Sequence, residues 1–218
     1  MDPKRVVSVL FVLLCLNSWQ ADAGTCQLML SLKTETVAPI KIGSLTIERV
    51  RLLGDNDFNI VIWKNVPRLQ PQGKAVLDAV IHAGSITGKS IDGGNPSMNC
   101  HAYALRESGL LLIEPNYWIE GTTSEFSLNT NPLSNVLSGL YKLKAAYSVH
   151  EEVSTGLPGD FITLVDKNGT FVHSGILESV DGQIWMKSKM GEHGIVAAPI
   201  ENYLRVFSVT EIQIYRLK

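Results

Sequence analysis

Residues 161–188 read FITLVDKNGTFVHSGILESVDGQIWMKS, short runs of strand-forming residues punctuated by turn dipeptides. The runs 161–165, 171–177 and 183–188 have the length and the β-branched and aromatic content of strands. Asn168-Gly169 predicts a type I′ hairpin between the first two, because that turn needs positive φ at both central residues. Asp181-Gly182 then turns the chain into the third strand. Alternation of side chains across a strand places Phe171, His173 and Gly175 on one face. Two further extended runs, 204–209 and 212–215, follow the meander.

The first half of the chain has a different period. Ala75, Val76, Ala79 and Val80 recur at helical spacing and predict a short helix over 74–83. Val136, Leu137, Leu140, Leu143 and Ala146 do the same over 133–146. A third helix begins near Ser97 or Asn99, either of which can cap its free N–H groups, and Gly109 supplies its stop. Before these, 43–66 reads as a two-stranded hairpin around residues 53–57, and 113–119 as loop with some extended structure. Helices packed on an antiparallel meander make an α+β architecture. The glycine-rich run 88–94 lacks the lysine of a phosphate-binding loop and reads as flexible chain before the third helix.

That helix carries the chemistry. Cys100 falls in its first turn, where free N–H groups and the positive dipole end favour a thiolate, and His173 on a strand can take the thiol proton. The expectation is a free, low-pKa thiol. His82, His150 and His193 are isolated histidines without metal-ligand spacing.

Cysteine usage depends on the compartment. Lys4 and Arg5, the apolar run 6–16 and Ala21-Asp22-Ala23 have the three parts of a secretory signal peptide over 1–23. The apolar run is shorter than the roughly 20 residues of a spanning helix, so no stable membrane anchor is expected after cleavage. In the secreted chain Cys26 and Cys100 are the remaining cysteines, and a disulfide between them is the competing expectation, one that would abolish the nucleophile. The 19 basic and 21 acidic side chains leave a net charge of −2, and no basic cluster interleaved with aromatics suggests nucleic acid. The 45% apolar and 18% charged composition suits one globular unit, divided here into an N-terminal extension over 24–89 and a domain over 90–218.

Four features of 99–191 resemble the papain-like NlpC/P60 and CHAP cysteine peptidases and amidases of bacterial cell-wall peptidoglycan. These are the run Cys100-His101-Ala102-Tyr103-Ala104, the Pro158-Gly159-Asp160 before the first strand, the run His173-Ser174-Gly175-Ile176 and their chain order. The resemblance implies a papain-like α+β fold, with the cysteine helix against an antiparallel meander. It also implies acyl transfer by Cys100 and His173 on peptide or peptidoglycan-like amides, without metal or cofactor. Where the central family has Ser-Gly after the cysteine, this chain has His101-Ala102. The strand that would orient the imidazole offers Lys187, Ser188 and Lys189 rather than a carboxylate, and Ser188 is the candidate orienter.

Asn99 and His101 are candidates for oxyanion or substrate binding, with the Cys100 backbone N–H as a further donor; such donors contribute roughly 3 kcal/mol each in comparable sites. The favoured alternative for His101 is a helix-surface histidine with no chemistry. Asn168-Gly169-Thr170 is an acceptor pattern for N-linked sugar, although a tight turn explains the same residues. Two function classes follow: a secreted cysteine amidase or endopeptidase, extracellular or periplasmic, and a non-catalytic secreted binding protein of the same fold with Cys100 joined to Cys26.

Overall fold

The computed structural model describes residues 33–42, 44–53, 59–64, 73–91, 98–110, 117–119, 132–191 and 193–218. The signal-peptide stretch 1–23 and Cys26 lie outside these residues. Among them no helix is long and apolar enough to cross a membrane.

The chain forms a mixed α+β structure with two antiparallel sheets. In the smaller, β1 (Lys33–Ile42), β2 (Leu45–Leu53), β3 (Asn59–Lys64) and β5 (Tyr117–Ile119) lie side by side in that order. The larger has seven strands, in the order β4 (Lys89–Ile91), β10 (Ile195–Pro199), β9 (Gln183–Lys189), β8 (Phe171–Val180), β7 (Phe161–Val165), β11 (Glu211–Leu217) and β6 (Tyr141–Ser148). Helices α2 (Cys100–Glu107) and α3 (Pro132–Leu140) share one core with the small sheet and the large one: Leu52, Ile62, Ala102, Leu105, Val136, Leu137, Phe161 and Ile176 meet there. On the other face of the large sheet, α1 (Gly73–His82) and α4 (Ile200–Val206) cover a second core of Leu77, Val80, Ile162, Leu164, Leu177, Met186 and Tyr203. Residue 89, where the sequence divides into extension and domain, lies in β4, and α1 from the extension packs on α4 and β10.

The meander forms as expected, with two corrections in its turns. Asn168-Gly169 does not make a type I′ turn, because of that pair Gly169 alone has positive φ, at 76°. Asp166 organises a longer connection instead: its Oδ1 accepts from the N–H groups of Asn168 at 2.8 Å and Thr170 at 2.9 Å. The turn with positive φ at both central residues is Asp181-Gly182, at 51° and 79°, which matches the twist of a two-residue hairpin. A bulge between Leu164 and Val165, opposite His173 and Phe171, adds a residue to β8. Phe171 therefore packs in the first core, while His173 faces the second.

Two predicted elements change type. The helix expected over 133–146 stops at Leu140, and Tyr141 opens β6, whose pairing with β11 runs to Ser148. Leu143 is left 48% exposed, so it never belonged to the buried helical stripe. The strand expected over 204–209 is replaced by α4 and the turn after it, because Ile200 and Tyr203 fill the second core at helical spacing.

Pro158-Gly159-Asp160 anchors the sheet. Gly159 takes φ 92°, and Asp160, 4% exposed, accepts from the Leu157 N–H at 2.8 Å and from Arg216 Nε and Nη2 at 2.7 Å each. The clasp joins the start of β7 to β11. Removing the carboxylate leaves a partly solvated guanidinium, whereas removing the guanidinium leaves a buried carboxylate. Asp160→Ala is therefore expected to cost about 2 kcal/mol in urea unfolding and Arg216→Ala about 3 kcal/mol. Losses under about 0.5 kcal/mol for both would mean that the clasp does not hold the sheet.

Candidate active site

Asn99 caps α2: its Oδ1 accepts from the Ala102 N–H at 2.9 Å, with extended backbone at φ −84° and ψ 171°. Cys100 is thus the first helical residue and carries a free thiol. It keeps some solvent exposure as a residue, yet its surroundings desolvate the sulfur. The N–H groups of Ser174, His101 and Cys100 itself are directed at the sulfur, and the charge of Lys189 acts on it through space.

Strand β8 carries two imidazole networks on opposite faces. On the α2 side, His101 Nδ1 lies 2.8 Å from Ser174 Oγ, Ser174 Oγ lies 3.1 Å from Thr163 Oγ1, and Thr163 donates to the His173 carbonyl at 3.0 Å. On the α4 side, His173 Nε2 lies 2.9 Å from Ser188 Oγ, which lies 3.1 Å from the Tyr203 hydroxyl. The His173 ring stacks on Phe207, with centroids 4.6 Å apart and planes 13° apart, and on Tyr203 at 5.8 Å and 24°. Among the described residues neither imidazole hydrogen-bonds the thiol. The sulfur meets backbone N–H groups instead, among them that of the peptide joining His173 to Ser174.

Burial sets the charges. It pushes the Cys100 thiol up to about 11, and the N–H groups and Lys189 offset only part of the desolvation. The expected low-pKa thiol is therefore overturned: a helix N-terminus cannot compensate for a sulfur enclosed on most sides. Burial likewise lowers His101 to about 4 and, with the neighbouring His101 charge as a smaller cause, His173 to about 3. At neutral pH the site holds a thiol and two neutral imidazoles.

The candidate residues divide accordingly. Cys100, His101 and Asn99 meet at the helix start, while His173 and Ser188 meet on the far side of β8. His101 is buried rather than on the helix surface. Asn168 lies on an exposed turn, apart from both networks. Lys189 is buried on β9, its Nζ donating to the carbonyls of Gly191 and, at 3.3 Å, His193. Sequence reasoning missed Ser174, Thr163, Tyr203 and Lys189. Period-2 alternation assigns Ser174 to the face opposite His173 and so carried a signal; Tyr203 depends on a helix read as a strand. Among the described residues no group of three or more His, Cys, Asp or Glu is placed to hold a metal.

The chain matches no family model, no curated protein and no solved structure.

Two measurements check these charges. Alkylation by iodoacetamide under native conditions should accelerate about tenfold per pH unit between pH 7 and 10, tracking the thiolate fraction; a plateau below pH 8 would contradict a raised thiol pKa. Both histidines have folded pKa values below their unfolded ones, so the unfolded chain binds more protons and stability must fall as pH drops from 6.5 toward 4. Each contributes up to about 1.4 kcal/mol per pH unit there. Urea unfolding should therefore show a loss of about 2 kcal/mol between pH 6 and 5, and a flat profile would mean that the imidazoles are not buried neutral.

Proposed function

We propose that the chain is a secreted cysteine amidase or endopeptidase of papain-like, NlpC/P60 or CHAP type, cleaving amide bonds in peptidoglycan-like peptides. The observation that carries this reading is the seating of the Cys100 sulfur, at a capped helix start, against the peptide that follows His173, whose ring is held through Nε2 by Ser188. The chain order of cysteine helix, Pro-Gly-Asp and histidine strand supports the same assignment.

A neutral resting pair fixes the proton traffic. As sulfur attacks the amide carbonyl and the C–S bond forms, the thiol proton passes to the ring nitrogen of His173 not bound by Ser188. The imidazolium returns that proton to the leaving amine as the C–N bond breaks. Water, deprotonated by the same imidazole, then releases the acid and restores the thiol. Thiol and ring lie on opposite faces of β8, so this transfer requires the start of α2 to shift against β8 and bring them together in the substrate complex. The oxyanion is met by the backbone N–H groups of Cys100 and His101 at the helix start.

One observation favours the second reading, a non-catalytic secreted binding protein of the same fold: the thiol is raised rather than activated. Purified muropeptides separate the two. Cleavage by wild type and a loss of at least about 10³-fold in Cys100→Ala and His173→Ala is the expected result. Equal binding by all three proteins with no cleaved product would establish the binding protein.

A further inference from the structure

Tyr203 lies wholly inside the second core, at 0% exposure, with its hydroxyl among three oxygens. The Met186 carbonyl is 2.9 Å away, the Val196 carbonyl 3.0 Å and Ser188 Oγ 3.1 Å. A phenol has one proton to give, and carbonyl oxygens have none. Were the proton given to Ser188, the phenol's lone pairs would face two carbonyl oxygens at hydrogen-bond distance with nothing between them. Tyr203 therefore donates to the carbonyl pair and accepts from Ser188. The single Ser188 proton is then committed, so its oxygen accepts from His173, 2.9 Å away.

We infer that Tyr203 is a positioning residue that acts through Ser188 to hold His173 as the Nε2–H tautomer, leaving the Nδ1 lone pair as the proton acceptor. A hydroxyl relay ending on two backbone carbonyls takes the place of the carboxylate that the sequence lacks. Ring stacking of His173 on Phe207 and on Tyr203 supports the orientation that the relay sets.

The same counting applied to the other face gives the opposite tautomer. Thr163 donates its one proton to the His173 carbonyl, Ser174 donates to Thr163, and Ser174 accepts from His101 Nδ1–H. The catalytic meaning of the His173 tautomer rests on the proposed amidase reading; the tautomer itself does not.

Long-range ¹H–¹⁵N correlation spectra of the ¹⁵N-histidine-labelled chain at pH 7 read the tautomers directly. The expected result is Nε2–H for His173 and Nδ1–H for His101 in wild type. In Tyr203→Phe, which keeps the ring and loses only the hydroxyl, Ser188 is freed to donate, and the His173 tautomer ratio should move at least tenfold toward Nδ1–H while His101 is unchanged. Nδ1–H at His173 in wild type would overturn the inference without any variant, and so would a folded Tyr203→Phe with an unaltered ratio. If muropeptides are cleaved, Tyr203→Phe should lower kcat ten- to a hundredfold with KM little changed. If they are not cleaved but the tautomers are as stated, the relay stands and the amidase reading fails.

Discussion

Polar side chains in the middle of a doubly covered strand have to be hydrogen-bonded, and the rest of the site depends on how β8 meets that requirement. Strand β8 is paired on both edges, by β7 and β9, and buried on both faces. His173 is 4% exposed and Ser174 0%, so each must find its partners within the protein. Each does so through a hydroxyl chain that ends on a backbone carbonyl, Ser188–Tyr203 on one face and Thr163 on the other. Because Thr163 closes on the carbonyl of His173 itself, the two networks meet at one residue. Replacing an apolar pair by His-Ser at this place is costly unless every member is satisfied, and a partly satisfied version would be worse than a plain apolar core.

The same burial explains the electrostatics. A thiol at a helix start exposed to water would be expected to ionise more readily, as would a histidine on a solvated strand to protonate. Here desolvation is the leading cause for all three groups, and it drives each toward its neutral form. The N–H groups of Ser174, His101 and Cys100 remain directed at the sulfur, so negative charge formed there during attack would meet ready donors although the resting thiol carries none. Under the amidase reading this is a site that keeps its nucleophile uncharged until an acceptor arrives.

Much of the large sheet was legible in the sequence. Strand-rich runs separated by Asn168-Gly169 and Asp181-Gly182 gave β7, β8 and β9, and Asn99 before Cys100 gave the capped start of α2. What sequence could not supply came from tertiary context. A bulge, which has no period, separated Phe171 from His173. The 141–148 run satisfies both a helical and an alternating template, and pairing with β11 decided it. Residues 204–206 have strand-like composition, yet Tyr203 needed a helix to bring its hydroxyl between the carbonyls of Met186 and Val196. At the site the helix-start cysteine and Ser188 were readable as single residues. The separation of thiol and His173 by a strand was not, because it depends on which face each element covers.

The central claim is that Cys100 is acylated by an amide substrate, and the most direct measurement is the mass of the protein during turnover. The chain, incubated with muropeptides and quenched in acid within the first turnovers, should carry a peptide-derived acyl group on Cys100, released by hydroxylamine as a thioester. An unmodified mass throughout incubation, or Cys100 found joined to Cys26, would contradict it.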